Sequence, residues 1–304
     1  MMKHKRLTYI ILFIFVSLFS FSQSATERFL TPSDTLHKSR RNAVVISEAT
    51  LAGIALVGLN QLWYADYEQS KFHTINDNNE WLQMDKMGHA FTAYQMGKFG
   101  AGLLNWSGVS EKQQLIYGST LGFGFLTAVE VLDGFSKEWG FSWGDIIANA
   151  SGTGLYVGQQ LLWNEQRILL KFSYHETMFA QQRSDKLGEG FFERILKDYN
   201  GQTYWLSLNL SSFLKEKKIP KWLNVAFGYG AEGMLSGISN KNNLDLPSYD
   251  RYRQFYLSLD VDLSKIKTNS SLLQTVFEVF NTVKLPFPTI EINRNGCAFH
   301  LFYI

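Results

Sequence analysis

The residues that offer chemistry are one histidine and several carboxylates set in otherwise apolar stretches. Asp85 and His89 lie four apart in Asp85-Lys86-Met87-Gly88-His89, so on a helix both project from one face. Asp85 also suits a first helical turn, where the helix dipole favours negative charge. Glu130 and Asp133 close a later apolar stretch, and Ser142-Trp143-Gly144-Asp145 opens another in which Asp145 and Asn149 are again four apart. Ser142 is a candidate cap for that start. If the helices fold as antiparallel hairpins, His89, Glu130, Asp133 and Asp145 converge at one end of a bundle. Carboxylates that orient an imidazole are what acid/base catalysis or a His/carboxylate metal site needs. A catalytic reading makes His89 the general base, oriented by Asp85, with Glu130 and Asp145 supplying the acid. A metal reading takes ligands from His89, Glu130, Asp133 and Asp145. No cofactor is expected beyond such a divalent metal.

Each residue also has a structural reading. Glu130, an ionisable group in an apolar run, requires a partner, and Lys86 and Lys98 are the candidates. Asn149 ties helices together by a hydrogen bond, while Asp133 and Asp145 satisfy backbone N–H groups at a turn and a helix start. Lys86, Asn149 and Trp143 are therefore expected as structural polar groups, and Trp139 and Trp143 as anchors at a membrane interface. Glu48 is a candidate extra member of the cluster. His73, His175 and His300 are isolated. No His-Glu-x-x-His helix, phosphate-binding glycine loop or Gly-x-Ser-x-Gly elbow occurs.

The elements that must position these groups are four Gly/Ala-rich apolar segments: Ala43 to Tyr64, Asp85 to Trp106, Gln113 to Leu132 and Asp145 to Trp163. Each approaches the ~20 residues that cross a hydrocarbon core. Gly118/Gly122 and Gly154/Gly158 have the spacing that lets helix backbones approach closely. Residues 166–200 are expected as amphipathic linking helices, ended by an Asn200-Gly201 turn. Beyond residue 201 the pattern switches to period two. Leu223, Val225, Phe227 and Tyr229 alternate with Asn224, Ala226 and Gly228, and Phe255, Leu257, Leu259 and Val261 with Gln254, Tyr256, Ser258 and Asp260. One apolar and one polar face marks an antiparallel sheet, here expected to pack against the helices. Leu272 to Phe280 is expected as a helix interrupting it. The fold class is thus α+β: a bundle of about four helices (43–165) after a polar segment (23–42), then linking helices (166–200) and a C-terminal antiparallel sheet of about five strands (201–304).

Lys3, Lys5 and Arg6 precede an apolar run from Leu7 to Phe21, the pattern of a secretory signal peptide over residues 1–22. The 304 residues carry 29 basic and 27 acidic side chains, and this near-balance excludes a nucleic-acid binder held by a broad basic field. Aromatic residues make up 15% and charged ones 18%, enough apolar surface to exclude a disordered chain. The single cysteine, Cys297, excludes an internal disulfide and lies in what reads as a terminal strand.

Asp85-Lys86-x-x-His89, Glu130-x-x-Asp133 and Ser142-Trp143-x-Asp145, in this order, resemble the YfiM-like family of periplasmic lipoproteins, a domain of unknown function. The stretches 77–86, 197–205 and 228–234 resemble the longer version of that family typical of Bacteroidetes. More distantly, the Asp-Lys-x-x-His motif and the later acids of the helical half resemble VanZ-like membrane proteins. The resemblance implies an exported, periplasmic protein associated with an envelope membrane, the outer membrane being favoured. It departs in one respect, since no cysteine follows the leader for lipidation. Three functions follow as expectations: a structural or lipid- or partner-binding envelope protein, an envelope lipid or glycan hydrolase or transferase, and an accessory subunit of an outer-membrane assembly. The expected partners are membrane lipid or an envelope protein, and the pattern leaves oligomeric state open.

Overall fold

Four long helices form on the apolar segments: α1 (Lys38–Leu59), α2 (Met84–Trp106), α3 (Leu121–Asp133) and α4 (Trp143–Trp163). The structure is a computed structural model that describes residues 25–64, 67–214, 216, 218–238, 247 and 249–303. The expected leader at residues 1–22 lies outside the described residues. Small residues set how the bundle packs. A Cβ on Gly118 or Gly122 would sit 2.5 Å from the α2 backbone at Ala101 or Ala93, so glycine permits the closest approach there. The Gly154/Gly158 pair does not serve this purpose, because both face open space. Gly152, against the carbonyl of Ala90, makes the close contact between α4 and α2. The α1 helix stands apart, with Val44 alone buried, against Leu104 and Val109. Both α1 and the stretch Glu111–Asp133 are long and apolar enough to cross a membrane, with 6% and 28% of their apolar windows buried.

Residues 166–200 differ from the expected run of helices. Ile168–Tyr174 is a strand, β1, and the helices there are the short Met178–Gln182, Ser184–Leu187 and Phe191–Lys197. The helical expectation fails at 168–174 because Leu170 and Phe172 alternate with Lys171 and Ser173, and it is this period of two that packs. Leu170 joins Tyr94 and Tyr156 of the bundle, while Phe172 packs with Met84 and Phe91 of α2. The turn at Asn200-Gly201 and the helix α5 (Ser271–Phe280), capped by Ser270, form as the sequence predicts.

With β1, the antiparallel sheet has six strands rather than about five. It continues through β2 (Gln202–Asn209), β3 (Leu223–Glu232), β4 (Tyr252–Val261), β5 (Phe287–Asn293) and β6 (Gly296–Tyr303), each paired with its sequence neighbour. The registers place Leu170, Leu206, Phe227, Leu257, Ile290 and Phe299 in one row, and Lys171, Trp205, Gly228, Tyr256 and Glu291 in the next row on the opposite face. The sheet curls with this second, polar face inside. Lys171 on β1 meets Asp260 on β4 at 2.9 Å, both wholly buried, although three strand spacings would separate them by ~14 Å in a flat sheet. Tyr303 on β6 reaches Thr203 on β2 at 3.1 Å. Backbone bonds from Phe172 N–H to Thr282 and from Lys284 N–H to Phe172 tie the β1 edge to the chain just before β5. The result is a small, barrel-like sheet with a polar core, packed on the helices through the outside of β1 and β2 and through Tyr229 and Ala231 of β3, which lie against Met84 at the start of α2.

Candidate functional site

The cluster is assembled where three helix ends meet. Asp85 and His89 sit one turn apart at the start of α2, Glu130 and Asp133 in the last turn of α3, and Asp145 in the first turn of α4. Ser142 caps α4 by accepting the Asp145 N–H at 3.2 Å, and its own N–H donates to Glu130 Oε2 at 3.1 Å. The entry to α2 is unusual: Trp81, Leu82 and Gln83 all have positive φ (45°, 50° and 66°), a region L residues enter only when the surroundings hold them there. Trp81 N–H donates to Gly237 at 2.8 Å, Tyr229 of β3 donates to the Leu82 carbonyl, and Arg253 of β4 donates to Gln83 Oε1 at 2.6 Å. The barrel thereby fixes the turn that aims Asp77 and Asp85.

His89 is the centre. Its Nδ1 lies 3.0 Å from Asn149 Oδ1, which places a proton on Nδ1 and turns Nε2 toward three carboxylates: Glu130 Oε1 at 3.6 Å, Asp145 Oδ1 at 3.7 Å and Asp85 Oδ1 at 3.8 Å. Lys86 forms a second layer, with Nζ 2.6 Å from Asp77, 2.8 Å from Asp145 and 3.1 Å from Asp85. Tyr199 donates to Asp85 Oδ1 at 2.9 Å, and Ser142 Oγ to Asp77 at 2.6 Å. Asp133 stands beside this group and accepts from Tyr64 at 2.6 Å.

Negative charge outnumbers positive here. Asp77, Asp85, Glu130 and Asp145 face one lysine and one histidine. Burial, then the charge of Asp145, pushes the Glu130 carboxyl up to about 8, against the opposing pull of His89 and the Ser142 N–H. Burial and Asp85 raise Asp145 to about 7, although His89 and Lys86 pull it back. Asp133 rises to about 6, again chiefly by burial. Burial works in the same sense on Asp85, but His89 and Lys86 outweigh it and hold that carboxyl below its ordinary value. For His89, burial favours the neutral ring, and the combined attraction of Asp85, Asp145 and Glu130 with the Asn149 bond overcomes it, so its pKa is raised. Buried acids short of cations are where protons are held or a metal ion is bound. Asp85, His89 and Asp145 each offer one ligand atom, all within 4.8 Å of one another. One imidazole among carboxylate oxygens suits a divalent cation such as Mg²⁺, Mn²⁺ or Zn²⁺.

The cluster opens on a cavity of about 360 Å³ between α2, the Phe191–Lys197 helix and the barrel. Asp85 and His89 form its polar end, and Phe91, Leu126, Phe172, Leu196 and Tyr204 its walls.

Several expected partnerships are replaced. Glu130 pairs with His89 and the Ser142 backbone, not with Lys86 or Lys98; Lys98 instead meets Glu278 at 2.9 Å. Glu48 lies on α1, outside the cluster. Trp143 is 63% exposed and packs edge-on to Phe141, while Trp139 makes edge-to-face contacts with Tyr64 and Tyr67. Lys86 and Asn149 belong to the cluster itself. Asp77, Tyr199 and Tyr64 were not singled out from the sequence. Asp77 falls in a polar loop of Asn and Asp, and Tyr199 lies over a hundred positions beyond Asp85, so neither carries a local signal.

Residues 74–159 match the model of a family described as predicted periplasmic lipoprotein (DUF2279). Every member of the cluster except Tyr199 and Tyr64 falls inside that stretch. The match supports an exported, periplasmic, membrane-associated protein with no assigned activity, in keeping with the coarser part of the resemblance drawn from the motifs. No curated protein and no solved structure gave a significant match.

Proposed function

We propose that this is a membrane-associated protein of the bacterial envelope whose helical cluster, charged with a divalent cation, binds the polar head of an amphiphile whose apolar part fills the adjoining cavity. The observation that carries this reading is His89: its Nε2 faces three carboxylate oxygens at 3.6–3.8 Å, at the polar end of a cavity with aromatic and aliphatic walls. A few convergent polar groups at one end of an apolar cavity are the usual form of a small-molecule site. A cation would be held by Asp85, His89 and Asp145, with Glu130 adjacent, and would supply Lewis acidity and attraction for an anionic head group. The outer membrane is the location we favour, supported by a sheet whose apolar residues point outward.

A second reading is favoured by the pairing of His89 with Glu130. An imidazole acceptor beside a carboxyl held protonated near neutral pH is an acid/base pair, and it makes hydrolysis or transfer on an envelope lipid or glycan the alternative. The first experiment is titration of the purified chain with Mg²⁺, Mn²⁺ and Zn²⁺, followed by calorimetry. Saturable binding of one of them, abolished in Asp145→Asn and His89→Ala, is expected. Failure of all three to bind the unaltered chain removes the cation from the proposal.

A further inference from the structure

The barrel is built inside out. In a sheet of a water-soluble protein the buried face is apolar and the polar face is solvated. Here Lys171, Ser207, Asn209, Asn224, Asp260 and Thr289 are buried at 0% exposure, while Phe227, Phe255, Ile292 and Phe299, on the opposite face of their strands, are 51–67% exposed. The register shows that this is one continuous surface: the row through Leu206, Phe227, Leu257, Ile290 and Phe299 runs unbroken across five strands. The α2 helix and its entry cover the outside of β1, part of β2 and the Tyr229–Ala231 end of β3, and leave Phe227, Phe255, Leu257, Leu259, Ile290, Ile292 and Phe299 exposed.

We propose that the outer wall of β3–β6 faces the hydrocarbon of a lipid bilayer. Apolar residues outward and polar residues inward, alternating along every strand, is the arrangement that a hydrocarbon solvent imposes and that water opposes. The charges agree with this occupant. The outward positions of β3 and β4 carry one charged residue, Arg253, which stands at the end of the wall nearest the α2 entry and bonds Tyr229 and Gln83. Aromatic and cationic groups stand at the two rims: Trp222 at one, beside Lys218 and Lys221 in sequence, and Tyr229 with Arg253 at the other. Such belts of Trp, Tyr and long cationic side chains mark the boundary between hydrocarbon and head groups. A partner protein would be expected to meet polar or charged groups within the patch, and the outward rows offer none between the rims. The inference rests on the membrane association already proposed, and it is independent of what the His89 cluster does.

The test uses Cys297, the single cysteine, which is exposed and lies in β6. In a Cys297→Ala background, Leu257→Cys and Phe299→Cys place a spin label on the wall without disturbing a buried site, and Asp250→Cys serves as a control beyond the rim. With the full chain in phosphatidylcholine vesicles, oxygen should relax the labels at 257 and 299 at least several-fold more effectively than a water-soluble nickel complex, and Asp250→Cys should show the reverse. Strong nickel access at 257 and 299 would overturn the proposal in favour of a water-facing wall. Exclusion of both reagents would overturn it in favour of a protein cover, such as a second copy of this chain. As a separate measure, Leu257→Asp with Phe299→Asp should reduce retention on floated vesicles by about tenfold or more, as a charge in hydrocarbon demands, while divalent-cation binding at His89 is unchanged. Undiminished retention with the variant still folded would count against the wall, whereas failure of the unaltered chain to bind any of the three cations would count only against the function proposed for the cluster.

Discussion

Two regions of this molecule bury charge, and they balance it differently. In the barrel, Lys171 and Lys284 are enclosed with Asp260 and Asp262, and Glu291 meets His300 at 2.8 Å. Asp260 accepts from Ser207 at 2.7 Å and meets Lys171 at 2.9 Å, and Asp262 accepts from Asn281 at 2.9 Å. Lys284 donates to the Leu285 carbonyl and lies over the Trp205 ring. Around His89, four carboxylates face one lysine and one histidine; Tyr199 and Ser142 donate to three of them, and Asp145 is met by Lys86 and His89 alone among the described residues. The first is a network of ion pairs and hydrogen bonds that fixes the curl of a sheet. The second is an arrangement with surplus negative charge beside a cavity, which a structural role does not require. Natural sites that keep such a surplus do so at a cost to stability, and the excess is what a bound cation or a transferred proton relieves.

The largest expected effect attacks the barrel network. Lys171→Met should leave Asp260 buried without its counter-charge and lower stability by about 3–5 kcal/mol, read from denaturant unfolding in matched detergent. The double change Lys171→Met with Asp260→Leu should recover most of that loss, since a well-packed apolar pair substitutes for a buried ion pair. By contrast, Asp145→Asn removes surplus charge and should leave the cation-free protein unchanged or more stable. A loss in Asp145→Asn as large as in Lys171→Met would break the comparison and make the cluster a structural network too.

Next in size is the response to metal. A divalent cation at one hundred times its dissociation constant should stabilise the unaltered chain by about 2.7 kcal/mol through mass action, with no equivalent gain in Asp145→Asn or His89→Ala. Thermal unfolding with and without a chelator checks this. An equal shift in the variants would mean that the ion binds elsewhere.

The legibility of these two regions was uneven. The cluster could be found because its parts are local: Asp85 with His89, Glu130 with Asp133 and Asp145 with Asn149 each sit at helical spacing, and hairpin geometry brings their ends together. Glu130's partner could not be read, because the choice among Lys86, Lys98 and His89 depends on helix rotation. The sheet's alternation was equally plain along β3 and β4, but period two is the same whichever face is buried. The burial of Asn224 and Asp260 and the exposure of Phe227 and Leu257 are decided by the curl that brings Lys171 to Asp260. That contact joins strands about ninety positions apart, and Lys171 itself interrupts the apolar run of β1, which hid that strand among the linking helices. Of the two glycine pairs at equal spacing, one packs and one does not, again because rotation about the helix axis is not written in the spacing.

The smallest effect sharpens the comparison through pH. Glu130 and Asp145 have folded pKa values of about 8 and about 7, above the ordinary carboxylate range, and that of His89 is also raised. In each case the folded state binds protons more readily than the unfolded chain, so the contribution is fully present below the unfolded pKa and disappears as pH rises through the folded one. Asp85 runs the other way, but its folded pKa is depressed, so its contribution changes only in acid, as pH falls through that lower value. Between about pH 5 and pH 9 the cluster should therefore lower the stability of the cation-free protein as pH rises. We expect a fall of about 1–2 kcal/mol, because Glu130 and Asp145 face the same imidazole and protonating one eases the demand on the other. Glu130→Gln should flatten the slope, and saturating divalent cation should reverse it, since the ion binds the deprotonated ligands and replaces the protons. The barrel adds an opposing slope at the alkaline end, because burial lowers the Lys284 pKa to about 8 and the folded state then binds fewer protons than the unfolded chain, so Lys284→Met should steepen the fall as pH rises through that value.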